Sequence, residues 1–184
     1  MLLVRPAAAH LPSYIAALQR GWSPDNLRPE VAQEERARIE ADADGFLAAF
    51  DDPEAKGPPV ILPDGSTVRR LPGIRRWIWD GEFCGSIGLR WQTGTAELPS
   101  HVLGHIGYAV VPWKRGQGHA TAALAQLLPE ARALGLPYVE LTTDLDNLAS
   151  QHVILSNGGV LVARFDKPAA YGGAAGLRFR IVLG

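Results

Sequence analysis

Apolar residues along the chain fall into short continuous runs and into helically spaced sets, which together predict alternating strands and helices. Residues 2–5 predict a first strand. Leu11, Ile15 and Leu18 then recur at helical spacing and predict a helix over 10–20. Further strands are predicted over 74–79, 83–90, 104–111, 138–142, 160–165 and 177–183, and further helices over 29–50, 121–134 and 148–156.

Several local features modify this pattern. The stretch 51–73 is rich in proline, glycine and acidic residues, and it predicts a loop or a hairpin carried on one. Asp80 and Gly81 stand between two apolar runs, which is typical of a hairpin turn. Pro129 lies inside a predicted helix, where a missing N–H costs about 3 kcal/mol, so we expect a kink or a restart. The charged residues 34–38 are interpreted as a solvated helix face.

Length and composition limit the class of protein. The chain has 184 residues and a mass of 19.8 kDa, which suits a single α/β domain over 1–184. A net charge of −1 gives no electrostatic reason to expect nucleic acid or an anionic membrane as a partner. Cys84 is the only cysteine and cannot form an internal disulfide. With no apolar run of membrane-spanning length and no signal h-region, this predicts a cytoplasmic protein.

The segment that carries the clearest chemistry is the glycine-rich stretch 110–120, which lies between a predicted strand and a predicted helix. A strand, a glycine turn and a helix N-terminus together present backbone N–H groups to an anion. Gly116 and Gly118 can adopt positive φ and place no side chain before a ligand. Arg115 adds a permanent cation. The segment therefore predicts a phosphate site, with a merely flexible helix entry as the alternative.

Two familiar phosphate ligands do not suit this stretch. Its spacing is not that of the dinucleotide-binding loop, and no acidic residue follows at the required distance. It also lacks the Gly-Lys-Ser/Thr sequence of a nucleotide-triphosphate loop.

The stretch resembles the coenzyme A loop of GNAT-type N-acetyltransferases. Arg115, Gly118 and Ala120 match the family's Arg/Gln-x-x-Gly-x-Gly/Ala motif, and 110–112 match its Val-x-Pro. Similar blocks lie at 104–108, 144–150 and 157–159, as in a bacterial subgroup of predicted acetyltransferases. The resemblance implies an α/β fold with a mixed, mostly antiparallel central sheet, helices on both faces, and strands splayed at the coenzyme site. Residues 51–73 would then be an addition to the domain.

The resemblance also implies acetyl-CoA as co-substrate and assigns residues to it. The pantetheine arm would pair with the backbone of 109–111, and the pyrophosphate would lie on the N–H groups of 115–120. Asn147 and Ser150 match residues that approach the arm, although Asn147 could equally be a helix N-cap and Ser150 a small first-turn residue. The implied cofactor-binding residues are Ala109, Val110, Val111, Arg115, Gly116, Gln117, Gly118, His119, Ala120, Asn147 and Ser150.

Transfer to an amine also needs a proton acceptor, because an ammonium group has no free lone pair. His105 lies near where many relatives carry a glutamate, and it is our candidate base; the alternative is a histidine packed at the start of the strand. Glu97 and His101 are weaker candidates, and Tyr108 is expected in the core. The family's usual proton-donating tyrosine is replaced here by Ile154, which leaves His152 or Ser156 as donors, or none.

These residues lead to one expected function and two alternatives. We expect an acetyl-CoA-dependent N-acetyltransferase that acts on the primary amine of a small molecule by direct attack in a ternary complex. A non-catalytic acyl-CoA-binding sensor and a peptide N-terminal acetyltransferase are the alternatives. Arg75, Arg76 and Arg90 could contact an acidic acceptor or form solvated strand faces. No metal-ligand spacing is present, Cys84 is interpreted as buried and inert, and a homodimer is compatible with the hairpin tryptophans.

Overall fold

The computed structural model describes residues 1–25 and 28–184. Ten strands and five α-helices follow one another along these residues, with three short 3₁₀ turns. The strands are β1 (Leu2–Val4), β2 (Asp51–Asp52), β3 (Val60–Ile61), β4 (Thr67–Val68), β5 (Gly73–Trp79), β6 (Phe83–Arg90), β7 (Ile106–Val110), β8 (Tyr138–Asp144), β9 (Val160–Asp166) and β10 (Ala175–Val182). The helices are α1 (Leu11–Gln19), α2 (Val31–Ala41), α3 (Ala43–Ala48), α4 (His119–Ala133) and α5 (Leu148–Leu155).

The strands form two main sheets with antiparallel pairing throughout. One sheet has the order β1-β5-β6-β7, with β2 also paired to β5, and the other has the order β8-β10-β9. The hairpin β5–β6 turns at 80–82, as the Asp-Gly sequence predicts. The stretch 51–73 carries β2 and the small hairpin β3–β4, so the predicted hairpin on a loop is confirmed.

Helices cover both faces of the larger sheet, and each face has its own core. α4 and α5 cover one face, where Ile78, Ile87 and Leu124 are completely or almost completely buried. α1, α2 and α3 cover the other face, where Trp77 is 0% exposed and stacks on Tyr14 with ring centroids 4.3 Å apart. The expected layered α/β architecture with helices on both faces is therefore confirmed.

The two sheets meet where β7 and β8 begin and separate beyond that point. His105, which immediately precedes β7, donates its backbone N–H to the carbonyl of Glu140 at 2.7 Å. No ladder joins β7 to β8 in the part of the chain that the structure describes. The helix α4 connects these two strands and begins directly after the glycine loop. The sequence thus produces a split sheet whose opening faces the loop.

Two predicted helices differ from the structure. The single helix expected over 29–50 is wrong: it breaks into α2 and α3 at Asp42, whose side chain accepts a hydrogen bond from the Gly45 N–H at 2.9 Å. This Asp caps a new helix in place of continuing the old one. In contrast, α4 runs unbroken through Pro129, so no restart occurs there. Pro129 is exposed. Its ring, and the carbonyl that lacks a donor because proline has no N–H, therefore lie on the solvent side of α4.

Candidate acetyl-CoA site

The glycine loop forms an open turn that ends in a helix N-terminus without a side-chain cap. Gly116 and Gly118 have φ of 74° and 77°, and the space beside each is empty. Gly118 is the N-cap residue of α4, and no side chain caps this helix. The first hydrogen bond into the helix comes from the Ala122 N–H. The N–H groups of the first turn are therefore free to bind an anion, with the positive helix end behind them.

A polar cluster beneath the loop fixes its position. Lys114 donates to Asp80 at 2.9 Å, and His119 Nε2 lies 3.5 Å from the same carboxylate. His119 is buried, so its side chain faces the β5–β6 turn while its backbone belongs to the first turn of α4. The buried thiol of Cys84 adjoins this cluster, and burial raises its pKa to about 11. The loop is thus anchored to the sheet by its flanking side chains.

The same cluster is the one place among the described residues that brings potential metal ligands together. The ligand atoms of Asp80, Cys84 and His119 lie within 4.8 Å of one another. The Lys114 ammonium group already neutralises the carboxylate, and the Cys84 thiol keeps its proton at neutral pH because its pKa is raised. Since metal binding requires the thiolate, these residues do not fit a metal ion.

The edge of β7 that faces the split presents the backbone groups of Val110. The Val111 N–H bonds the Cys84 carbonyl at 2.9 Å, so it points toward β6. Backbone groups alternate along a strand, and the groups of Val110 consequently face the opening. Arg115 Nε donates to the Val110 carbonyl at 3.1 Å. Of the three residues predicted to pair with a pantetheine arm, Val110 is the one whose groups are directed there, since the backbone groups of Ala109 and Val111 alternate with it and point toward β6.

A cleft of about 200 Å³ lies between β7, β8 and α5. Asn147 caps α5, because its side chain accepts from the Ser150 N–H at 3.1 Å, and both residues line the cleft. Tyr108 also lines the cleft, and its hydroxyl donates to the Ser150 carbonyl at 3.3 Å. Ile154 closes the cleft from within the core and is 1% exposed. The residues expected along the pantetheine arm are therefore brought together here.

His105 lies at the start of the split with both ring nitrogens engaged. Its Nδ1 accepts from the Glu140 N–H at 2.9 Å, and its Nε2 is 3.1 Å from the Ala96 carbonyl. The ring is therefore neutral, with the proton on Nε2. It is 1% exposed, and burial lowers its pKa below the ordinary value. This geometry leaves no free lone pair for an amine and supports the interpretation as a packed histidine.

A larger cavity of about 740 Å³ lies on the other face of the sheet, beneath α2 and α3 and beside the β3–β4 hairpin. Arg75 and Arg90 project into it from β5 and β6. Glu35 of α2 also lines this cavity, although it is 7% exposed and accepts a hydrogen bond from Tyr14. The expectation of a solvated face for residues 34–38 is wrong at this position, since Glu35 faces inward with Ala32 and Ile39.

The model of the acetyltransferase (GNAT) domain matches residues 2–160, which is most of the chain. The protein belongs to the GNAT acetyltransferase family. Members of this family use acetyl-CoA as co-substrate. No curated protein matches the chain in sequence.

Solved GNAT structures share its fold at low sequence identity. The microcin C7 self-immunity acetyltransferase MccE, in complex with acetyl-CoA and AMP, has a TM-score of 0.61 at 14% identity, over 98% of this chain and 91% of that one. RimL, a ribosomal L7/L12 alpha-N-protein acetyltransferase in complex with coenzyme A, also gives 0.61 at 14%, over 98% and 92%. A variant of the spermidine N-acetyltransferase SpeG from Vibrio cholerae gives 0.57 at 14%, over 100% and 95%.

Sequence reasoning missed two features of this GNAT protein. Tyr108 packs against the core, as expected, but the position of its hydroxyl in the cleft was not foreseen; it arises because β7 turns its even-numbered residues toward α5. Its helical partner Ser150 is 42 residues away, so no local pattern links them. The inward position of Glu35 could have been read from its spacing to Ala32 and Ile39 at three and four residues.

None of the helices in the described ranges 1–25 and 28–184 is long and apolar enough to span a membrane.

Proposed function

We propose that this GNAT protein transfers the acetyl group of acetyl-CoA to the primary amine of a small molecule by direct attack in a ternary complex. The observation that carries the proposal is the uncapped helix N-terminus at Gly118, which opens beside the split between β7 and β8. Neither side chains nor a continuing helix fill this turn.

The loop would hold the diphosphate of the co-substrate. N–H groups over 116–120 and the positive end of α4 supply the attraction, and each charge-assisted hydrogen bond contributes on the order of 1.5–3 kcal/mol. Arg115 is exposed and bonds the Val110 carbonyl through one nitrogen alone. It can therefore turn its remaining donors to a phosphate when the pantetheine arm takes its place on β7.

The thioester would lie at the Val110 edge. Attack by an amine places negative charge on the thioester oxygen, and a fixed N–H donor at that position stabilises the transition state by about 2.7–4 kcal/mol. A C–N bond forms and the C–S bond breaks. Coenzyme A leaves as a thiolate, and the proton lost by the amine passes to solvent. The thiol has a pKa near 8.5, so it leaves readily without a strong acid. Tyr108 presents a hydroxyl to the cleft, and burial raises its pKa, so it carries its proton at neutral pH.

The acceptor would reach the thioester from the larger cavity. Val102 borders that cavity and the next residue, Leu103, borders the cleft, so this connection passes along both spaces. A volume of about 740 Å³ is in the range of small-molecule sites. Helices α2 and α3 cover the cavity, which favours a compact molecule over a long peptide.

The loop assignment is tested by acetyl-CoA binding. Gly118→Val places a branched side chain at the N-terminus of α4, and calorimetry should show loss of binding. Gly135→Val is the matched control, because Gly135 has φ of 79°, has the same empty surroundings and lies at the other end of α4. Gln117→Glu provides a second test without backbone strain, since it adds a negative charge beside the diphosphate and should also weaken binding. Equal affinity of Gly118→Val, Gln117→Glu and the parent would refute the placement.

A non-catalytic acyl-CoA sensor is the second candidate, and the buried Ile154 favours it because that position cannot donate a proton. Release of free thiol from acetyl-CoA separates the two functions. Amine-dependent release is expected from a transferase, whereas a sensor binds acetyl-CoA and releases no thiol with amines or peptides.

A further inference from the structure

The cavity beneath α2 and α3 contains an excess of positive charge. Six arginine or lysine side chains line it, against three carboxylates. The carboxylates already have partners: Glu35 accepts from Tyr14, Asp51 pairs with Arg5 and Arg76, and Asp52 accepts two backbone N–H groups. Among the cations, Arg70 lies 3.9 Å from Asp52 and Lys56 pairs with Glu54. The excess of positive charge in the cavity is therefore carried by its other arginines.

Arg75 and Arg90 are the two cations on the floor of this cavity. In the part of the chain that the structure describes, neither guanidinium makes a hydrogen bond or an ion pair within 4.0 Å; Arg75 lies 5.5 Å from the ring of Phe50. Arg90 is exposed and Arg75 is half-buried, so both guanidiniums can be reached from the open cavity. Two cations on neighbouring strands repel each other, and an anion that accepts hydrogen bonds from both would relieve this repulsion.

The register of the sheet places these two arginines for a shared ligand. Arg75 pairs with Gly88 on β6, and Arg90 is two residues farther along the same strand and on the same face. Such diagonal neighbours have their Cβ atoms about 7–8 Å apart, so the two side chains can contact one small anion. A single carboxylate or phosphate has enough oxygens to accept from both.

Glycines keep the floor clear around the arginines. Gly88 lies opposite Arg75, and Gly107 of β7 lies opposite Gly88. A Cβ atom at Gly107 would be 3.2 Å from a terminal nitrogen of Arg90. The Arg90 guanidinium therefore rests on β7 itself, three residues before Val110. At about 3.3 Å per residue, this places it roughly 10 Å along the strand from the expected thioester.

We infer that this cavity binds an anionic group of the acceptor, and that the substrate is a primary amine that also carries a carboxylate. The inference rests on the proposed function and adds the class of acceptor. Arg75 and Arg90 would hold the carboxylate, and the amine would extend along β7 toward Val110. A polycation such as spermidine would place positive charge against both guanidiniums and is disfavoured here.

Matched acceptors test this inference. Thiol release from acetyl-CoA is followed with ω-amino acids from glycine to 6-aminohexanoate, and with the carboxamide of each. We expect kcat/KM to be at least about ten-fold higher for the acids, which corresponds to one charge-assisted hydrogen bond. 3-Aminopropylphosphonate distinguishes a phosphate-type ligand from a carboxylate, and preference for it would overturn the carboxylate assignment. Equal rates for acids and amides, or the highest rate with spermidine, would overturn the inference.

Arginine variants test whether Arg90 causes the preference for acids over amides. Arg90→Gln should raise KM for the best amino acid by about ten-fold, leave the KM for acetyl-CoA unchanged and remove the preference for acid over amide. Arg164→Gln is the control, because Arg164 is exposed on β9 and remote from the cavity. Retention of the preference in Arg90→Gln would contradict the assignment.

A binding measurement separates this inference from the proposed function. If no amine releases thiol, acetyl transfer is refuted, and the cavity is then tested by titrating the protein with glutarate, a dicarboxylate without an amine. Binding that is lost in Arg90→Gln but kept in Arg164→Gln supports the anion site. Absence of binding, or equal binding by both variants, rejects it.

Discussion

Replacement of His105 should lower stability and leave the chemistry intact. The ring accepts from the Glu140 N–H at 2.9 Å and donates to the Ala96 carbonyl at 3.1 Å. His105→Ala removes both bonds from a side chain that is 1% exposed. Each buried group left unpaired costs about 1–3 kcal/mol, and a cavity adds to this, so we expect a loss of roughly 3–5 kcal/mol. His105→Asn retains an acceptor near the Nδ1 position and should lose about half as much.

The dependence of stability on pH gives a second, independent signature. Burial lowers the pKa of His105 in the folded protein, so the unfolded chain binds the proton more readily. The contribution of the neutral ring is thus fully present above its ordinary pKa of about 6.5 and is lost as the pH falls below it. In urea unfolding between pH 5 and 8, the free energy of unfolding should vary less with pH for His105→Asn than for the parent protein.

Kinetics decide between the structural role and the catalytic one. At temperatures where His105→Asn is folded, its turnover between pH 6 and 9 should follow the same profile as the parent. The reasoning fails if this variant is as stable as the parent but loses turnover by about 100-fold together with an inflection near pH 6.5, because that result identifies His105 as the base.

Three further predictions concern neighbouring groups. Asn147→Ala should destabilise the protein by about 1 kcal/mol in urea and Asn147→Asp should restore it, because both Asn and Asp cap the N-terminus of α5; equal stability of all three contradicts the cap. Cys84 has a pKa of about 11 and is 0% exposed, so a thiol reagent at pH 8 should label it at the rate of unfolding, and fast labelling of folded protein counts against burial. Burial raises the pKa of Glu35, so the protein loses stability as the pH rises through that pKa. Glu35→Gln should reduce the loss of stability measured between pH 4 and 8. An unchanged loss would contradict this role of Glu35.

The elements of the second half were predictable because their sequence signals are local. Periodicity, the Asp-Gly turn and the glycine loop each act within a few residues, and the strands and helices from β5 to β10 lie close to the predicted bounds. The break at Asp42 was not predicted. Strong helix formers precede it in 37–41, and the decisive signal is a cap that bonds Gly45 only three residues away.

The site was predictable only where a backbone motif forms it. Gly116 and Gly118 show their role in the sequence, because their conformational freedom is a property of the residue itself. The partners of His105 are nine and 35 residues away, so its two alternatives could not be resolved without coordinates. Arg75 and Arg90 likewise come together through strand register, which residue type and spacing do not reveal.

The open side of β7 has a consequence for handling the protein. A strand whose outer hydrogen-bonding groups lack a neighbour can recruit any extended peptide, including one from another copy of the chain. Arg115 covers the carbonyl of Val110 and partly shields this vacancy. Because acetyl-CoA would occupy the vacancy as an additional strand, preparations stored without it should be the first to self-associate. On heating, added acetyl-CoA should delay the onset of light scattering. The delay should be larger than the rise in melting temperature alone would produce.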